Sequence, residues 1–172
     1  MRIHFGAGRH ILPGYFNADA VQHPNAERPL DMVYEMRFDG AILVQPMPLD
    51  DGCAEELFAA HVIEHFARYE VDAVIGEWKR LLQPGGRLIL ELPNLEACAR
   101  NLLAGARPQM CMFGIYGDES WKSPYMLHKF GYTPATLSAL LAEHGFTNIQ
   151  VLPPQTHGAK VKRDMRVEAI KQ

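Results

Sequence analysis

Residues 5–19 read Phe5-Gly6-Ala7-Gly8-Arg9-His10-Ile11-Leu12-Pro13-Gly14-Tyr15-Phe16-Asn17-Ala18-Asp19. The short apolar segment Ile3–Phe5 runs into Gly-Ala-Gly, a pattern for a strand that turns sharply at its end. Glycine allows that turn, and it leaves the main chain open to close approach. Pro13-Gly14 limits any helix before the next strand to a turn or two. Tyr15–Ala20 then reads as a second short strand ending at Asp19.

Outward from this stretch, strand and helix patterns alternate. Leu30–Met36 reads as a third strand, and residues 37–52 as a long loop with two prolines. Glu55–Val62 is apolar enough for a buried strand. Val71, Val74, Ile75, Trp78, Leu81 and Leu82 recur at helical spacing, predicting a helix over Tyr69–Leu82 that stops at Pro84-Gly85-Gly86. Arg87–Leu92 reads as a strand and Leu95–Ala104 as a helix. Arg107–Tyr132 looks irregular and is rich in Met, Gly and aromatics. Thr133-Pro134 opens another helix, with Thr133 as N-cap, and Gly145 ends it. Phe146–Leu152 and Met165–Ile170 are close in sequence with no helix between, so they should pair antiparallel. The whole pattern predicts one α/β domain, residues 1–172, with a doubly wound, mainly parallel sheet covered on both faces.

The chain has 172 residues, 48% hydrophobic and 22% charged, with net charge −3. That suits a single globular domain. No cationic run stands out before Lys160, Lys162 and Arg163, so nucleic acid is not the expected partner. Cys53, Cys98 and Cys111 make no CxxC spacing and read as thiols of a reducing compartment. Neither a signal peptide nor a membrane-length apolar run is present. A cytoplasmic, non-membrane protein is expected.

Three constellations carry candidate chemistry. In an open α/β sheet the Gly6-Ala7-Gly8 turn lies at the carboxyl edge, where ligands bind, and an acid ending the second strand can accept both hydroxyls of a ribose. Dinucleotide enzymes place that acid ~20 residues past the glycines. Here Asp19 follows Gly8 by only eleven positions, and Ile11 occupies the third glycine position, which argues against a nicotinamide cofactor. His61-Val62-Ile63-Glu64-His65 matches the H-x-x-E-H pattern of a zinc hydrolase, in which His61 and His65 would share a metal from one helix face. The preceding residues read as a strand, however, and no third ligand is designated, so the leading reading assigns no metal. Trp78–Leu90 is an amphipathic helix, a glycine break and a buried strand.

Four segments in order resemble the class I S-adenosylmethionine-dependent methyltransferases, in the group often called type 11. They are FGAGRHILPGYFNAD (5–19), PLDDGCAEELFAAHVIEHF (48–66), EWKRLLQPGGRLILELPN (77–94) and His128–Phe146. The resemblance implies a Rossmann-like methyltransferase fold with seven strands, the last antiparallel, and S-adenosylmethionine as cofactor. It places Phe5, Gly6, Ala7 and Gly8 at the methionine part of the cofactor and Asp19, with Ala20, at the ribose. Glu35 and the Met47-Pro48-Leu49 loop would lie near the adenine. Ala60 and His61 would face cofactor and substrate. The family's N-terminal cover helix is expected to be absent, so Arg107–Tyr132, as a substrate or lid insertion, or a second subunit in a homodimer, would have to close the site.

Methyl transfer to a hydroxyl needs a base. His61 is the first candidate, then His128 and Tyr132. Tyr116, Trp121 and Tyr125 are candidates for the acceptor pocket. The acceptor is expected to be a small molecule, with a sugar-containing one preferred by analogy. A non-catalytic cofactor-binding module on the same fold is the alternative.

Overall fold

The computed structural model describes residues 1–156 and 163–172; Lys160 and Lys162 lie outside them. The strands are β1 (Arg2–Phe5), β2 (Phe16–Asp19), β3 (Met32–Val33), β4 (Phe38–Asp39), β5 (Ile42–Leu43), β6 (Ala54–Ala60), β7 (Leu82–Pro93), β8 (Phe146–Leu152) and β9 (Asp164–Lys171). The helices are α1 (Arg68–Leu81), α2 (Leu95–Leu103), α3 (Pro108–Tyr116) and α4 (Pro134–Glu143). Seven strands form one sheet in the order β3-β2-β1-β6-β7-β9-β8. All its pairings are parallel except those of β9, which runs antiparallel to both β7 and β8. The expected seven-stranded architecture is met.

The core lies between one sheet face and the helices α1 and α4. Val71, Val74, Ile75, Trp78 and Leu81 of α1 are fully buried, as the helical stripe requires. They share a cluster with Ile3, Phe5, Leu57, Leu88, Leu90 and Val167 from alternate strand positions and with Leu137, Leu140 and Leu141 of α4. Each such aliphatic side chain contributes about 2 kcal/mol by leaving water. Glu70 reaches back to the Ala67 N–H at 2.7 Å, fixing the start of α1. Thr133 accepts from the Thr136 N–H and starts α4 as expected.

The other face is built differently. No helix joins β1 to β2 or β2 to β3. Instead a ladder of ion pairs crosses the strands there. Glu56 meets Arg87 at 3.0 Å, Arg87 meets Glu168 at 3.2 Å, Glu168 meets Arg166 at 2.6 Å, and Arg166 meets Glu91 at 2.8 Å.

The short β1–β2 crossover is held by a side chain rather than a helix. Asn17 is fully buried. Its amide donates to the Leu12 and Tyr15 carbonyls at 3.1 and 2.8 Å, while its Oδ1 accepts the Leu12 N–H at 2.8 Å. Removing it orphans these backbone groups, each worth about 1–3 kcal/mol when buried. Asn17→Ala is therefore expected to destabilise the protein by about 2–4 kcal/mol in urea unfolding; a loss under about 0.5 kcal/mol would show that water replaces the side chain.

Other boundaries shift for local reasons. The third strand keeps only two residues, because it sits at the sheet edge with β2 as its one partner. The 37–52 loop contains the β4–β5 hairpin. Pro84-Gly85-Gly86 does not end the strand: β7 begins at Leu82, opposite Ala54, and residues 83–86 are taken up as a register shift before Arg87 pairs with Glu56. The 107–132 region is not wholly irregular, since α3 occupies Pro108–Tyr116 and packs on α2. Among the described residues no helix is long and apolar enough to cross a membrane.

Candidate active site

Gly6 and Gly8 take φ of +73° and +54°, so the backbone turns off β1 in a conformation that side chains resist. A Cβ on Gly6 would come within 2.2 Å of Val62 Cγ2. The Gly6 and Ala7 N–H groups both donate to the Ala18 carbonyl, at 2.8 and 3.2 Å. The Gly8 N–H donates to Asp19 Oδ2 at 2.7 Å. This bond fixes the Asp19 carboxylate at the end of β2. Its Oδ1 meets only the Val21 N–H among the described residues, at 3.4 Å, and retains acceptor capacity for a diol. The glycine turn and the oriented acid fit a nucleoside carrying a ribose.

Glu35 lies just past β3 on the same edge and accepts a hydrogen bond from the Tyr125 hydroxyl at 2.7 Å. The Met47-Pro48-Leu49 loop is not brought there. The Met47 N–H donates to the buried Glu77 carboxylate at 2.8 Å, and Arg80 donates to the Met47 and Leu49 carbonyls at 2.9 and 2.8 Å. Glu77 and Arg80 belong to the C-terminal half of α1, which descends toward the start of β7. The loop is therefore clamped along α1, and Met47 joins the core.

His61 follows Ala60 at the end of β6. Its φ of +55° is strained for a residue with a Cβ. The Glu91 carbonyl, accepting the His61 N–H at 2.7 Å, holds it there. Both ring nitrogens face carboxylates: Nδ1 is 3.1 Å from Glu64 Oε1, and Nε2 is 3.1 Å from Asp164 Oδ2. Burial pushes both carboxyls up. It is outweighed at Glu64 by the hydrogen bond from His61 and the neighbouring His61, His65 and His128, and at Asp164 by His61 and Arg163, so both lie below the usual range. Asp164, at the start of β9, was not foreseen; one acid in a closing strand carries no motif of its own.

His61 and His65 do not lie one turn apart on a helix, because residues 63–65 form a single 3-10 turn. The paired zinc-hydrolase arrangement is therefore not formed. His128 Nδ1 donates to the Gly114 carbonyl at 3.0 Å, and Nε2 lies 3.9 Å from Glu64 Oε1. Burial lowers its pKa below 6.5. Tyr132 is a core residue, 1% exposed, with its hydroxyl unbonded among the described residues. Burial pushes its pKa well up, so as it stands it is poorly placed to take a proton.

The segment after α3 crosses this edge. Arg9, beside the glycine turn, stacks over the Trp121 ring at 4.9 Å, and His23, beyond β2, meets the same ring edge-on at 5.9 Å. With Tyr125 on Glu35, three contacts tie residues 119–126 to the ends of β1, β2 and β3. Tyr116 remains exposed.

A methyltransferase domain model matches residues 15–90. No curated protein sequence matches the chain. Among solved structures, a Pyrococcus horikoshii OT3 protein superposes with a TM-score of 0.63 at 14% identity, over 100% of this chain and 83% of that one. An S-adenosylmethionine-dependent methyltransferase from Archaeoglobus fulgidus gives 0.58 at 14%, covering 98% and 85%. The 1,6-didemethyltoxoflavin-N1-methyltransferase of Burkholderia thailandensis, solved with S-adenosylhomocysteine, gives 0.56 at 13%, covering 99% and 70%. The chain therefore shares the fold of these S-adenosylmethionine-dependent methyltransferases, and its residues 15–90 match the methyltransferase domain family.

Proposed function

We propose that the chain transfers the methyl group of S-adenosylmethionine to a hydroxyl of a small or sugar-containing acceptor, within a single domain in which residues 107–132 cover the cofactor and shape the acceptor side. The observation that carries this reading is the bridge from Trp121 to Arg9 and His23 and from Tyr125 to Glu35. In the proposal Gly6, Ala7 and Gly8 adjoin the methionine part, Asp19 holds the ribose and Glu35 lies by the adenine. The cofactor supplies a methyl group already activated by its sulfonium. What remains for the protein is alignment, with reacting atoms ~3 Å apart, and removal of the acceptor proton. His61 is the group we assign to that proton, taken at Nε2 as the ring exchanges its Asp164 contact for the acceptor hydroxyl. Glu64 then holds the ring from Nδ1 and stabilises the imidazolium.

The test is transfer of labelled methyl from S-adenosylmethionine to a panel of sugar hydroxyls, phenols and amines. Turnover on hydroxyl acceptors supports the proposal; turnover on amines alone contradicts it. Trp121→Ala removes one exposed cation–π contact, worth about 1 kcal/mol, so the KM for cofactor should rise roughly fivefold with thermal stability little changed. An unchanged KM would show that the segment does not cover the cofactor.

A further inference from the structure

We infer that Glu64, His65 and His128 form a binding site for one divalent transition-metal ion of the zinc type. Each offers one ligand atom, and the three atoms lie within 4.8 Å of one another. Two independent features suit this cluster to a cation. First, His65 Nδ1 is 3.0 Å from the Leu127 carbonyl and His128 Nδ1 is 3.0 Å from the Gly114 carbonyl. A carbonyl only accepts, so each Nδ1 carries the hydrogen and each Nε2 presents a lone pair. Metal-binding histidines are oriented this way, by a second hydrogen bond from the far nitrogen. Second, Glu64 Oε2 is buried with no hydrogen-bond partner among the described residues, while Oε1 faces His61. A buried carboxylate oxygen without a donor costs about 1–3 kcal/mol or more, and a cation removes that cost.

The fold brings the ligands together from distant positions. Glu64 and His65 sit on the turn after β6. His128 comes back from the segment following α3, where the Lys129 and Phe130 N–H groups both donate to the Glu64 carbonyl, at 2.8 and 3.2 Å. The His65 and His128 rings meet edge-on with centroids 4.8 Å apart. Two imidazoles and one carboxylate suit zinc, cobalt, iron or manganese rather than calcium or magnesium. Three protein ligands leave a coordination position open, as in catalytic rather than structural sites. His61 is excluded as a ligand because Glu64 and Asp164 occupy its two nitrogens. The site thus differs from the zinc pattern read in the sequence: Glu64 and His128, rather than His61, join His65. The inference stands on these residues and does not require methyl transfer.

The test is titration of the chelator-treated full chain with Co2+ alone, followed by visible absorption and by calorimetry. The expected result is one ion per chain, with ligand-field bands of low-symmetry cobalt. His65→Gln and His128→Gln should each weaken binding by at least about tenfold, an effect that even outer-shell partners carry. His144→Gln, a surface histidine paired with Asp72, should bind as wild type. No saturable binding by the folded wild type would overturn the inference, as would equal affinity in both variants. Cofactor titrations on the same samples keep this outcome separate from that of the methyltransferase proposal.

Discussion

Asp19→Ala is expected to weaken S-adenosylmethionine and S-adenosylhomocysteine binding by about 3 kcal/mol, or roughly 150-fold. Hydrogen bonds to a charged acceptor contribute about 1.5–3 kcal/mol each, and a ribose diol makes two. The variant also deprives the Gly8 N–H of its carboxylate, loosening the turn that the cofactor must approach. Asp19→Asn keeps an acceptor for Gly8 but lacks the charge, so it should fall between wild type and Asp19→Ala. Calorimetry on the three proteins checks the order. Affinities within threefold of one another would mean that the ribose lies elsewhere.

The second large effect is on stability. His61→Ala should destabilise the fold by about 1.5–3 kcal/mol, the range for losing a hydrogen bond to a charged group. The reason is the pair of carboxylates it separates: Glu64 and Asp164 side chains are 2% and 1% exposed, and each lies 3.1 Å from an imidazole nitrogen. Without the ring, Glu64 loses its hydrogen-bond donor, and Asp164 is left with Arg163 alone among the hydrogen-bond partners shown. Urea unfolding at neutral pH in the presence of a chelator measures the loss without interference from metal. A difference below about 1 kcal/mol would show that water or protonation compensates the carboxylates.

The strands and the long helix were legible in the sequence because one physical rule governs each. The α1 stripe from Val71 to Leu81 follows from helical period, and the start of α4 follows from Thr133-Pro134. The glycine turn and Asp19 were legible together: a short crossover forces the end of β2 next to the end of β1, and the Gly8–Asp19 bond is the outcome. What holds that crossover was not. Asn17 sits in the quoted stretch, but its role depends on burial, which has no local signal. Met47-Pro48-Leu49 was read as an edge loop from its resemblance; the pull of Glu77 and Arg80 comes from 30 and more residues away in sequence. His61 and His65 were singled out from their motif, but the residues they meet, Asp164 and His128, are contributed by distant segments. The 107–132 region hid α3 because its apolar residues surround the helix rather than lining one side.

In the proposed arrangement the cofactor lies at the ends of β1, β2 and β3 beneath residues 119–126. Hydrogen exchange of the wild-type chain, with and without saturating S-adenosylhomocysteine, tests it most directly. Slowed exchange is expected in Gly6–Arg9, Asp19–Val21 and the 119–126 segment, with little change in α4 or β8. Protection confined to other elements, or none at saturation, would contradict it.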